Sequence, residues 1–158
     1  MLARLVQEIR NDPEPARVAR VLGRYLDEPL LSRDQCAPDP DGYRQHVLHV
    51  EPGGGFSVVS LVWLPGQDTC IHDHVSWCVV GTYRGAEEET TYRLDGGLLT
   101  PVSTALNPQG QATWLQPPGD IHQVRNATDG LVVSIHVYGA DVRTLGTSIR
   151  RRYHQPVA

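Results

Sequence analysis

Beyond Tyr43 the chain breaks into short β-branched segments, each closed by a cluster of Gly, Pro, Asn or Asp. Phe56-Ser57-Val58-Val59-Ser60-Leu61-Val62-Trp63 is the strongest of them, built from residue types that fit a pleated, half-buried surface. The pattern also predicts strands at Arg44 to Val50, Trp77 to Arg84, Thr90 to Leu94, Leu98 to Leu106, Ala112 to Gln116, His122 to Asn126 and Leu131 to Tyr138. So many short strands with regular turns specify an antiparallel sandwich or small barrel.

Only the start of the chain reads differently. Pro13 and Pro15 separate two predicted helices within residues 1–31. Leu2, Leu5, Val6 and Ile9 form one apolar face of the first. The second is expected from Pro15 to Leu26, with Val18, Val21, Leu22 and Tyr25 on one face. Ser32 to Gly42, rich in Pro and Asp, reads as a loop. The 158 residues fit a single domain, made of a helical segment at 1–31 and a β-barrel at 43–153.

A net charge of −4 argues against a nucleic-acid surface. No apolar run is long enough to cross a membrane, and no signal peptide is expected. The three cysteines, Cys36, Cys70 and Cys78, have no zinc-ribbon spacing and are an odd set. A reducing cytoplasm is the expected location.

The chemistry concentrates in two motifs. Gly66, five residues, His72, one residue, His74, three residues, Cys78, six residues and Gly85 form the first. Pro117, one residue, Gly119, two residues, His122, three residues and Asn126 form the second. His72 and His74 share one face of a strand, because side chains alternate, and Asp73 points to the other. A third imidazole from a separate strand, His122, completes a facial set of neutral nitrogen ligands and leaves coordination positions open. The two motifs resemble those of the cupin superfamily. That resemblance implies a mainly β, double-stranded β-helix (a jelly-roll barrel) with short N-terminal helices.

Where the usual cupin has a glutamate ligand, this chain has Cys78. Histidine-only ligation with cysteine in that place resembles the cysteine dioxygenase family. Ser134, His136 and Tyr138 share one side of a strand, and resemble the Ser-His-Tyr relay of thiol dioxygenases. The resemblance implies Fe(II) held by His72, His74 and His122, since ligand type alone suits several metals. It implies an oxidoreductase that adds O2 to the sulfur of a small thiol, giving the sulfinate. It also implies a thioether bond between Cys78 and Tyr138.

For the far end of the substrate, Tyr43-Arg44-Gln45 places Gln45 where the family has a carboxylate-binding arginine. This resembles the glutamine-type bacterial branch, which includes 3-mercaptopropionate dioxygenases. There the implied carboxylate partner is an arginine after the relay. Arg143, Arg150, Arg151 and Arg152 are available, and Arg151 is selected, with Gln45 and Tyr43, as substrate-binding. Both cysteine and 3-mercaptopropionate stay open as substrates. The alternatives are a redox-inactive metal-binding cupin module and another metal-dependent cupin enzyme. Asp73 reads as a structural hydrogen-bond acceptor, and Glu87-Glu88-Glu89 as a solvated strand edge or loop.

Overall fold

The computed structural model describes residues 1–158. Helices α1 (Leu2–Asn11) and α2 (Pro15–Gly23) come first. Pro15 starts α2, where its missing N–H costs nothing. The Glu14 side chain caps the same end by accepting from Ala16 N at 3.0 Å and Arg17 N at 2.8 Å. The second helix stops at Gly23, before the Leu26 expected from its apolar spacing. Tyr25 and Leu26 follow in a turn and are nevertheless buried.

Ten strands follow, β1 (Arg44–Val50), β2 (Ser57–Trp63), β3 (His72–His74), β4 (Cys78–Arg84), β5 (Ala86–Asp95), β6 (Leu98–Pro108), β7 (Ala112–Leu115), β8 (His122–Arg125), β9 (Val132–Tyr138) and β10 (Ile149–Arg152). A short helix, α3 (Val142–Leu145), precedes the last strand. The strands form two five-stranded sheets, in the orders β1-β2-β9-β4-β7 and β10-β3-β8-β5-β6. The ladders within both sheets are antiparallel. This is the jelly-roll arrangement implied by the two motifs. No helix is long and apolar enough to cross a membrane.

Strands β2 and β9 are buried at every residue, because the first sheet is covered on both faces. Val58, Val79, Ile135 and Val137 pack with Leu5, Ile9, Val18, Leu22 and Leu26 on the helical side. Val59, Leu61, Trp63, Cys78, Val80 and Tyr138 form a second cluster on the opposite side, as strand alternation requires. The helices therefore seal one face and leave the other for chemistry. Gly81 of β4 faces the helices, and a Cβ there would lie 2.7 Å from Leu22 Cδ2. The close approach of α2 to the sheet needs glycine at that point.

Two sequence expectations fail in the second sheet. Glu87-Glu88-Glu89 lies inside β5, which starts at Ala86 rather than near Thr90. Glu87 is 1% exposed, so it is neither loop nor solvated edge. The cause is alternation. Glu88 pairs with Arg125 on the outer face, Nε to Oε1 at 2.6 Å, while its neighbours turn inward.

Candidate metal centre

His72 and His74 project from the three-residue strand β3, and His122 from the first residue of β8, directly opposite His72 in the ladder. All three are buried, and their ligand atoms lie within 4.8 Å of one another. Each ring is oriented through Nδ1. His72 Nδ1 lies 2.8 Å from the Cys70 carbonyl, His74 Nδ1 2.9 Å from Asp120 Oδ2, and His122 Nδ1 2.7 Å from Glu89 Oε1. A carbonyl or carboxylate oxygen can only accept, so each Nδ1 carries the proton and each Nε2 presents a lone pair. Asp120 Oδ2 also accepts from the His74 backbone N–H at 3.0 Å.

Burial, helped by the neighbouring His122, pushes His72 down to about 3 and His74 down to about 4. Both are neutral ligands at physiological pH. Burial alone would raise the Glu89 carboxyl, but the hydrogen bond from His122 outweighs it and holds it below its usual value.

The fit to a cation follows from these lone pairs. His72 Nε2 and His122 Nε2 face each other at 3.2 Å. Two buried acceptors at that distance repel, and a metal ion placed among the three nitrogens satisfies both. Partners that fix the tautomer and orientation are the usual support of such ligands.

The first sheet supplies the opposite wall. Ser134 Oγ lies 2.9 Å from His136 Nε2, and His136 Nδ1 lies 3.1 Å from the Tyr138 hydroxyl. The sequence-predicted relay is therefore contiguous, and Trp63 Nε1–H donates to Ser134 Oγ at 3.3 Å. Tyr138 ends the chain with its ring centroid 6.3 Å from that of His74. Burial holds His136 neutral, well below its ordinary value, and holds the Tyr138 phenol protonated, well above its own. Cys78 is the direct cross-strand partner of Tyr138. Its Sγ lies 4.0 Å from His136 Nδ1, and burial raises its thiol well above the usual range.

One pocket joins these walls. It is lined by His72, His74, His122, His136 and Tyr138, by Tyr43 and Gln45 from the first sheet's edge, and by Thr147, Ser148 and Ile149. Tyr43 stacks on Trp63 with centroids 4.6 Å apart. Gln45 Nε2–H donates to the Gly146 carbonyl at 3.3 Å.

Arg151 is not among the lining residues, and neither are Arg150 and Arg152. Arg151 pairs with Asp73 in the β3–β10 ladder, and its guanidinium sits over the Tyr153 ring at 4.6 Å. Arg150 and the Tyr153 hydroxyl both donate to Asp73, which gives that aspartate its structural role on the face away from the histidines. A register shift between Ile149 and Arg151 leaves Arg152 opposite His72. Sequence reasoning missed Asp120 and Glu89. The first had a signal, an acid two residues before a ligand in a Pro-Gly turn. The second depends on how β5 pairs with β8, which local patterning does not reveal.

A jelly-roll barrel with three convergent histidines and a relay on the facing wall defines a cupin-type protein with a candidate metal site. Residues 2–148 match the model of the family described as Cysteine dioxygenase type I, and the chain belongs to that family. It is 27% identical over 122 residues to the Cysteine dioxygenase type 1 of Danio rerio, an alignment covering 72% of this chain and 60% of the relative. A cupin 2 conserved barrel domain protein from Salinispora arenicola is similar in structure, with TM-score 0.50 and 25% identity, over 68% of this chain and 83% of that one. A double-stranded β-helix protein from Klebsiella pneumoniae shares the fold at TM-score 0.53 and 18% identity, over 72% of this chain and 85% of that one.

Proposed function

We propose that the protein is a thiol dioxygenase that uses Fe(II) held by His72, His74 and His122. The observation that carries the reading is the Ser134–His136–Tyr138 chain ending beside a three-histidine site that has no carboxylate ligand. Membership of the cysteine dioxygenase type I family supports the same chemistry. The net reaction is RSH + O2 → RSO2⁻ + H⁺. Iron, when bound, supplies a Lewis-acidic, redox-active centre that lowers the thiol pKa and passes electrons to dioxygen.

The protein's own groups do the rest. The phenol of Tyr138, kept protonated by burial, donates a hydrogen bond into the pocket and orients the reacting groups. Trp63, Leu61 and Val124 add apolar surface beside the polar groups of the pocket. Tyr43 and Gln45 face the far end of the substrate.

A small thiol with a carboxylate tail is the substrate class we favour, with Arg152 rather than Arg151 as the anion's partner. Two findings support this choice. Arg150 is engaged by Asp73 and Arg151 by Tyr153. Arg152 shares the register of His72, and its charge reaches Tyr43 on the pocket wall. Gln45 in place of an arginine favours 3-mercaptopropionate over cysteine. The pairing of Cys78 with Tyr138 also supports a thioether bond, formed as the S–H and a ring C–H are oxidised by O2.

Oxygen uptake tests the reading. The protein is loaded anaerobically with Fe(II), then given cysteine, 3-mercaptopropionate or cysteamine in separate reactions. Uptake with a carboxylate thiol and recovery of its sulfinate is the expected result. No uptake with any thiol overturns the proposal. An intact mass lowered by two hydrogens after turnover reports the thioether bond.

A further inference from the structure

Glu87 is a buried titratable group inside the barrel for which the site described above has no use. It is 1% exposed, and neither carboxyl oxygen makes a hydrogen bond of normal geometry. An unsatisfied buried carboxyl is costly, and its retention asks for a reason. Its polar neighbours are the Ser134 hydroxyl and the Trp63 indole, the two groups at the inner end of the relay.

We propose that Glu87 is a positioning residue that sets the direction of the hydrogen-bond chain through Ser134 and His136. It thereby decides whether the Tyr138 phenol proton faces the pocket or His136. The proposal rests on the thiol dioxygenase reading for its catalytic consequence, and on the barrel interior alone for its structural one.

The argument is donor counting. Neutral His136 carries one proton, on Nδ1 or on Nε2. The Ser134 oxygen already accepts from Trp63 Nε1–H. With Glu87 ionised, the carboxylate can only accept, so it takes the Ser134 O–H. Ser134 must then accept from His136 Nε2–H. His136 Nδ1 is left as an acceptor, and the Tyr138 O–H turns toward it. With Glu87 protonated, its O–H donates to Ser134, whose own proton goes to His136 Nε2. Nδ1–H then donates to the phenol oxygen, and the Tyr138 proton is free to point into the pocket. The carboxyl has only to close on the Ser134 hydroxyl, and the heavy atoms of the relay itself stay where they are. Moving one proton on or off the carboxyl at the far end reverses every bond between it and the reaction site.

The surroundings allow both states. Glu89 of the same strand repels the Glu87 charge, and Glu87 in turn acts on Cys78 of β4 and Tyr138 of β9. Asn107 of β6 is opposite it in the ladder, and Arg125 of β8 is spent on Glu88 on the outer face. No cation balances the carboxylate. Burial, reinforced by Glu89, pushes Glu87 up to about 7, against hydrogen-bonding groups that pull it down. The two directions of the chain are therefore both populated near neutral pH.

The test uses the metal-free protein labelled with ¹⁵N, and long-range ¹H–¹⁵N NMR to read the His136 tautomer across neutral pH. In the wild type we expect Nδ1–H on the acid side and Nε2–H on the alkaline side. The infrared C=O band of a protonated carboxyl should disappear over the same range. Glu87→Gln should abolish both transitions. In the Fe(II)-loaded enzyme, kcat with a thiol should fall by about tenfold per pH unit on the alkaline side, and Glu87→Gln should remove that limb while KM stays unchanged. A His136 tautomer that is constant with pH in the wild type, or one that still switches in Glu87→Gln, overturns the proposal. Should no thiol support oxygen uptake while the tautomer switches, the Glu87 assignment stands and the dioxygenase reading falls.

Discussion

In the proposed reaction Tyr138 places a proton and Asp120 steadies a metal ligand. The phenol is linked to His136 at 3.1 Å. Tyr138→Phe should slow thiol oxidation by about 100-fold while bound iron, measured by metal analysis, stays near wild type. Loss of iron instead would show that the phenol helps hold the ion. Asp120 takes both the Nδ1–H and the backbone N–H of His74 on one oxygen. Asp120→Ala frees that ring to rotate, and metal affinity measured against a competing chelator should drop by about 10- to 100-fold. His72 and His74 were legible because strand parity puts them on one face whatever the fold, and His122 through the spacing of the second motif. Their clamps were not, since Glu89 reaches His122 only through a pairing of distant strands. The same limit hid Glu87. Three consecutive carboxylates look solvated until the strand carrying them is known to have a covered inner face.

Among the elements, β10 shows how one irregularity changes which residue stands opposite a histidine. Simple alternation along Ile149–Arg152 does not say which arginine shares a face with the histidines. The register shift beside Arg150 settles the pairing, with Arg151 opposite Asp73 and Arg152 opposite His72. Local sequence cannot foresee such a shift, since it depends on how Asp73 draws Arg150 and Tyr153 together. The strand itself also escaped sequence patterning, because a run of arginines lacks the β-branched signature. If Arg152 meets the substrate anion, Arg152→Ala should raise KM for 3-mercaptopropionate by about tenfold or more, the scale of one lost charge-assisted bond. Oxidation of cysteamine, which has no carboxylate, should be unaffected, and Arg151→Ala should change neither. Equal losses with all thiols would mean that Arg152 acts on the strand and not on the anion.

Across the whole molecule, the helices cover one side of the first sheet and the second sheet covers the other, so charge on the barrel's inner face is largely removed from water. That enclosure makes folding stability depend on pH in opposing ways. His72 and His74 are neutral in the folded, metal-free protein down to about 3 and about 4. The stability they contribute is present above the ordinary histidine value and is lost as pH falls below it. Glu87 works in the other direction. It stays protonated up to about 7 when folded, while in the unfolded chain it ionises at its ordinary, lower value. Its folded form is therefore favoured below that lower value, and stability is lost as pH rises from there to about 7. The full shift corresponds to about 3 kcal/mol. Glu87→Gln cannot ionise, so the stability difference between variant and wild type isolates this one group from the histidines. In urea unfolding of the metal-free proteins, Glu87→Gln should gain on wild type by about 3 kcal/mol between acid and neutral pH, with a plateau above. A difference that is flat with pH would mean that the carboxyl finds a partner or water inside the barrel and ionises at little cost. The chain of bonds to Tyr138 would then run in one direction only.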